Sequence, residues 1–176
     1  NIGNAFFGSN DTKSALKYYR EAYENAVQFK DSTKISSALL NIGTYYSKSN
    51  LSIDSSYFYY QKALQFVPKK SDYFLKMKID YNLARLQYEK GNLEFAKSTY
   101  KVMLDNCINS KLLEGESRAR MGLAEVYEKE HHYDEAMYEV NRAIHLSDSL
   151  GVIYDALAFR PLWFPFTRKK AIIRLP

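Results

Sequence analysis

The chain of 176 residues holds one cysteine, one tryptophan, four prolines and seven glycines. A single thiol, Cys107, rules out an internal disulfide framework and leaves any cysteine-based metal site short of ligands. The glycines form no phosphate-cradling loop, and no Gly-x-Ser-x-Gly elbow is present, so nucleotide-loop and hydrolase chemistries lack their signatures. No run of 18 apolar residues and no signal-peptide pattern occurs, so these residues supply no helical membrane span. The compartment stays open between cytoplasm and periplasm. An excess of one charge is also missing once the C-terminus is set aside. The net charge of +5 comes from Arg160, Arg168, Lys169, Lys170 and Arg174, in a final 17 residues without Asp or Glu. Residues 1–159 carry twenty basic and twenty acidic side chains. A basic array gripping nucleic acid is therefore not expected.

What the chain has in quantity is self-similarity. Ile2-Gly3-x-x-Phe6 returns as Ile42-Gly43-x-x-Tyr46, as Leu83-Ala84 and as Leu123-Ala124-x-x-Tyr127. A second mark follows: Ala15-x-x-x-Tyr19, Ser56-x-x-x-Tyr60, Ala96-x-x-x-Tyr100 and Ala136-x-x-x-Val140. A third is Ala22, Ala63, Met103 and Ala143. All three marks recur every 40 or 41 residues. A fixed period in this range predicts a stacked repeat array rather than a single globular core, and such arrays bind partners more often than they perform chemistry.

The motif order, large apolar, small, aromatic, then small and aromatic again, resembles the tetratricopeptide repeat over residues 1–150 in four copies. The third copy has Gln87 where the aromatic is expected, beside Tyr88. The family's early Trp position holds Leu39, Asp80 and Arg120, and its late Pro is matched by Pro68. The period exceeds the standard 34 residues, as in long-repeat members with longer helices. HEAT-type repeats fit the length but not the small and aromatic marks. The resemblance implies an all-α solenoid of antiparallel helix pairs in a right-handed superhelix, divided at about 1–31, 32–70, 71–110 and 111–150. Gly3, Gly43, Ala84 and Ala124 should sit where two helices approach closely. Ala15, Ser56, Ala96 and Ala136 should do the same on the second helix. Phe6, Tyr46 and Tyr127 should fill the space between helices, and Tyr19, Tyr60 and Tyr100 should pack on the next repeat, most tyrosine hydroxyls reaching the surface.

Caps and breakers set the expected ends. Gly8–Asp11, Lys48–Asn50, Gly91-Asn92 and Glu130–Asp134 occupy equivalent turns, and Val67–Asp72 separates two units. The helices are expected at about 1–8, 11–29, 33–48, 52–67, 72–90, 92–108, 112–130 and 133–149. The first lacks its opening turns, and with no initiator Met the chain reads as a fragment of something longer. Gly151–Ala158 reads as the start of a fifth first helix, stopped by Pro161 and Pro165. The basic, aromatic remainder of 151–176 is either a segment that lies on a membrane or, the favoured reading, a wrong-frame or truncated terminus.

Candidate chemistry is sparse. His131 and His132 are adjacent, so they diverge on a helix or turn, and no third ligand lies at metal spacing. A polar turn is the plainer reading. His145 is alone on the last helix. Cys107 reads as a small buried apolar residue, with no base near it in sequence. Glu125 and Glu128 share a helix face, as general acid–base pairs can, but helix surfaces carry such pairs routinely. No catalytic residue, metal or cofactor is expected.

The groove is the better candidate, because in this family the first helix of each unit lines the inner face. Aligning the copies on their Gly/Ala mark places Asn4, Thr44, Arg85 and Glu125 in one row. Leu40, Tyr81 and Met121 form a second, Ser37, Lys78 and Arg118 a third, and Ser47, Tyr88 and Glu128 a fourth. Lys78, Arg85 and Arg118 could present three cations to one groove. Some family members hold a peptide's terminal carboxylate that way, although Glu125 and Glu128 share the face here. The expected partner is a protein or peptide. The phrase Asp54–Leu64 is similar to sensory arrays in bacterial signalling proteins, where a membrane helix and a histidine kinase or helix-turn-helix regulator follow. A peptide-sensing array that changes shape, and membrane or nucleic-acid contact through the tail, are the alternatives.

Overall fold

A computed structural model describes Gly3 and residues 12–49, 52–68 and 73–149. The helix expected over 1–8, with Asn4 and Phe6, and the segment 151–176 lie outside the described residues. Those residues form seven α-helices and no strands: α1 (Thr12–Gln28), α2 (Ser32–Lys48), α3 (Ile53–Gln65), α4 (Tyr73–Glu89), α5 (Leu93–Asn109), α6 (Leu113–Lys129) and α7 (Tyr133–Ser149). Each begins and ends within two residues of its sequence-based expectation.

The helix ends have local causes. The Asp31 side chain accepts from the Lys34 amide at 3.0 Å, and Ser52 accepts from the Ser55 amide at 3.0 Å, each satisfying a first-turn donor. Four helices close with the same paired bonds. The amides of Asp31, Asn92, Leu112 and His132 reach back to the carbonyls of Ala26, Gln87, Cys107 and Tyr127. The residue before each amide, Lys30, Gly91, Lys111 or His131, takes a positive φ. This is the Schellman closure, in which one left-handed residue turns the chain and satisfies two orphan carbonyls. Only one of the four is glycine.

Successive helices pack antiparallel as α2–α3, α4–α5 and α6–α7, with α1 against α2. The first helices of these pairs also touch one another, α2 against α4 and α4 against α6, more extensively than the second helices do. The first helices therefore line one side of the array in succession.

The small residues sit where the rings are. A Cβ added to Gly43 would lie 2.6 Å from the Tyr60 ring, and one added to Gly3 would lie 2.5 Å from Tyr19. These tyrosines thus seat on the first helix of their own pair. Tyr60 also joins a core with Leu75, Ile79, Leu83 and Leu86 of the following helix, so it packs both ways. Tyr100 occupies the space left by Gly122, on the next first helix, and also shares a core with Ala84 of its own pair. Tyr60 and Tyr100 are both 1% exposed, and the Tyr60 hydroxyl bonds to Thr44 Oγ1 at 3.3 Å, so their hydroxyls are interior rather than at the surface.

The three residues at the missing Trp position are all buried, by different means. Leu39 is core. Asp80 pairs with Lys76. Arg120 bonds Glu116 at 2.8–2.9 Å within α6 and Glu139 of α7 at 2.8 Å. Two charged substitutes are tolerated inside because each brings its counter-charge with it.

Candidate functional site

The expected groove residues that the structure describes lie chiefly on α4 and α6. Both helices bury one side in a shared core with Ala84, Ala96, Tyr100, Met103, Leu123 and Val126. Helical periodicity then directs Lys78 and Arg85 of α4, and Arg118, Met121, Glu125 and Glu128 of α6, away from it, while Tyr81 and Tyr88 pack partly against its edge. Lys78 and Arg85 are exposed, and the other six are half-buried. Thr44 on α2 is half-buried in the same register, its hydroxyl donating to the Leu40 carbonyl at 2.9 Å, while Leu40 itself belongs to the core.

The structure brings several of these together. The Arg118 guanidinium lies over the Tyr81 ring at 5.7 Å, and Tyr81 in turn lies 6.1 Å from Tyr100. Lys129 covers the Tyr88 ring at 4.8 Å. The face is therefore a run of aromatic plates with cations over them.

The three cations do not stand as an unopposed row. Arg118 bonds Glu114 at 3.1–3.2 Å, Arg85 bonds Glu89 at 3.1 Å, and Lys78 lies over Phe74 at 4.1 Å. The two arginine partners sit four residues away on the same helix, a spacing readable in the sequence. The cover of Tyr88 by Lys129 joins two helices and had no such signal.

Glu125 is the unusual member. It makes no hydrogen bond or ion pair among the described residues. Burial pushes its carboxyl above the ordinary value. The Arg85 charge pulls the other way, and Glu128 and Glu89 push it further up. Glu128 is raised by burial as well. Tyr88 is raised by burial first and then by Glu125 and Glu128. A half-buried carboxylate that lacks a cation at bonding distance has room to accept one.

The other candidates fall to structural duties. His131 is the left-handed closing residue of α6 (φ 64°), and its Nδ1 meets the Tyr133 hydroxyl at 2.8 Å. His132 and His145 are exposed. Cys107 is fully buried, its thiol pushed up to about 11 by burial and then by Glu116 and Asp80, which suppresses the thiolate. Among the described residues, no group of three or more His, Cys, Asp or Glu is placed to hold a metal ion, and no helix is long and apolar enough to cross a membrane.

No protein-family model matches the chain, and no curated protein does. Solved structures do. The apo form of RapI superposes on 97% of this chain with a TM-score of 0.78 at 14% identity. BtubC from P. vanneervenii covers 80% with a TM-score of 0.66 at 17% identity, and MamA covers 97% with a TM-score of 0.56 at 17% identity. The fold is a tetratricopeptide-like helical-repeat solenoid. At these identities the likeness is one of fold alone. The chain spans 47% of the length of RapI and 58% of that of BtubC.

Proposed function

We propose that this solenoid is a non-catalytic module that holds a protein or peptide partner on its inner face. The observation that carries this is the composition of the face across α4 and α6. Two half-buried tyrosines, Tyr81 and Tyr88, lie under cations, beside a carboxylate at Glu125 that no cation among the described residues meets at bonding distance. Tyrosine and arginine are enriched among the few residues that carry most binding energy at protein interfaces. The mixed charge favours a partner segment carrying both a basic group, for Glu125 and Glu128, and an acidic group, for Lys78, Arg85 and Arg118. An extended segment or a helix fits such rows better than a bare terminal carboxylate, since Glu89 and Glu114 already engage two of the cations.

Within this reading, residues 1–150 form four repeats, and Asn4 and Thr44 extend the groove toward the N-terminal end. The array serves as the binding part of a larger bacterial signalling or regulatory protein, as the Asp54–Leu64 phrase suggests. The test is capture of binding partners by the chain and by its Arg85→Ala/Tyr88→Ala form. Arg85 is exposed and Tyr88 lies at the edge of the core, so the double variant is expected to lose some stability, keep its helicity and lose capture. Equal capture by a folded double variant removes the groove assignment.

A further inference from the structure

Tyr60 and Tyr100 stand at the same register on α3 and α5, and both are 1% exposed. Their hydroxyls are treated differently. The Tyr60 hydroxyl meets Thr44 Oγ1 at 3.3 Å, with Ser47 beside it. One unit on, those two row positions hold Arg85 and Tyr88. Arg85 is turned to Glu89 at 3.1 Å, and the Tyr100 hydroxyl makes no hydrogen bond among the described residues. The Tyr100 ring still reaches the boundary between α4 and α6. Its hydroxyl end lies against Gly122 of α6, its centroid is 6.1 Å from that of Tyr81 on α4, and Glu125 follows Gly122 by one helical turn. The phenol is held above its ordinary value by burial first, then by Tyr81 and Glu125, with Arg85 pulling down and Glu89 pushing up. A buried hydroxyl and a half-buried carboxylate are thus neighbours, each without a partner among the described residues. The helices that carry them are interior to the array, with α3 before and α7 after, so the spot is not a product of either chain end.

We propose that this spot is a seat for a lysine ammonium of the protein partner, taken jointly by the Glu125 carboxylate and the Tyr100 hydroxyl, with Glu128 as a second charge. It rests on the reading of the groove as a protein-binding surface. The chemistry follows from what the two groups lack. An ionised carboxylate only accepts, and a hydroxyl can accept as well, so the guest must donate to both and carry a positive charge. A lysine ammonium does so with three donors on a compact head and a long, flexible stem. A guanidinium is a broad, rigid plane, poorly matched to a floor group that is 1% exposed. A quaternary ammonium binds through open ring faces, but Arg118 lies over Tyr81 and Lys129 over Tyr88. The seat therefore reads an unmodified lysine, because acetylation removes the charge and trimethylation removes the donors.

The probes are acetyl-Gly-Lys-Gly-amide, its Nε-acetyl and arginine counterparts, and n-butylamine. Each is titrated into the 176-residue chain and read by NMR on the Tyr88 ring. Saturable binding is expected for the lysine peptide, and binding weaker by about tenfold or more for the acetylated and arginine peptides. Glu125→Gln and Tyr100→Phe in the protein should each weaken the lysine peptide by about tenfold, the effect of losing one hydrogen bond to a charged group. Tyr100→Phe has a second readout. Its hydroxyl has no partner within the described chain, so the urea midpoint should not fall, whereas Tyr60→Phe loses the Thr44 bond and should fall. Equal losses in the two variants would make the Tyr100 hydroxyl structural and overturn the seat. So would no saturable binding, tighter binding of the arginine peptide, or binding indifferent to Tyr100→Phe. If n-butylamine binds as tightly as the lysine peptide, the seat takes a free amine and the partner assignment is overturned. Capture of whole partners separates the two readings: capture lost in Arg85→Ala/Tyr88→Ala but unchanged in Tyr100→Phe keeps the groove and removes the seat.

Discussion

The Tyr60 ring occupies the space that a side chain on Gly43 would need, with Cδ1 and Cε1 each 2.6 Å from where a Cβ would stand. Gly43→Ala should gain about 1 kcal/mol in helix propensity. It must also push a ring that is 1% exposed out of a packed seat, and overpacking of this kind costs about 1–3 kcal/mol. Packing is expected to win, with a net loss of up to about 2 kcal/mol. A lowered urea midpoint with an unchanged slope checks it. A more stable variant would mean that the ring moves freely and the close approach is not required.

Both members of this pairing recur at fixed spacing and were legible as marks, but Tyr60 was expected on the next repeat rather than against Gly43 of its own pair. Tyr100 follows the expectation. Its seat is opened by Gly122, two residues before the Ala124 mark, and a period read from Gly3 and Gly43 points to Ala84 instead. Gln87 was read as a lost aromatic. It is buried, and its Oε1 accepts from the Asn92 side chain at 2.7 Å, bracing the turn into α5. Helix ends were legible because caps and turns are local. The Arg120–Glu139 bond and the Lys129–Tyr88 stack were not, because both join different helices. Of the groove residues, the rows were legible from register. The partners of Arg85 and Arg118 stand four residues away on the same helices, so the pairing was legible from spacing, and the row of three free cations was not the outcome.

Arg120 should be costly to remove alone. Its side chain is 8% exposed and is held by Glu116 and Glu139, at 10% and 13%. Truncation leaves two nearly buried carboxylates facing each other without a cation. Breaking a buried pair in this way costs about 3–5 kcal/mol. Arg120→Ala is therefore expected to lower stability by about 3 kcal/mol. The triple change Glu116→Gln/Arg120→Met/Glu139→Gln, which removes all three charges, should recover much of that loss. Denaturant titrations of the two variants check the order, and a triple variant less stable than Arg120→Ala would refute it.

Lys111 and Gly91 take the same left-handed turn, at φ 55° and 84°. For a residue with a Cβ that conformation costs about 1–2 kcal/mol, while glycine gives back about 0.5–1 kcal/mol through its freer unfolded chain. Lys111→Gly should therefore raise stability by about 0.5–1 kcal/mol. Gly91→Ala is the mirror experiment, since an added Cβ there meets nothing within 4 Å, so any loss reports backbone strain alone. Thermal midpoints moving in opposite directions confirm the shared closure.

Glu125 links stability to function through pH. Burial raises its carboxyl above the ordinary 4.5, with Arg85 pulling down and Glu128 and Glu89 pushing up. A raised value means that the folded state holds this proton more tightly than the unfolded chain does. The contribution is therefore fully stabilising below the unfolded value and is lost as pH rises through the folded one. At neutral pH the ionised group is a net cost to the fold. Glu125→Gln keeps the shape and removes the charge, so it should raise the melting temperature at neutral pH. The difference should close as the pH falls below the ordinary carboxylate range. Melting curves of both forms across that range check the sign, and a variant less stable at neutral pH would show that Glu125 is held by a cation. The same substitution should weaken partner capture if a basic group docks there. A change that stabilises the free array while loosening its complex would show that the charge serves binding rather than folding.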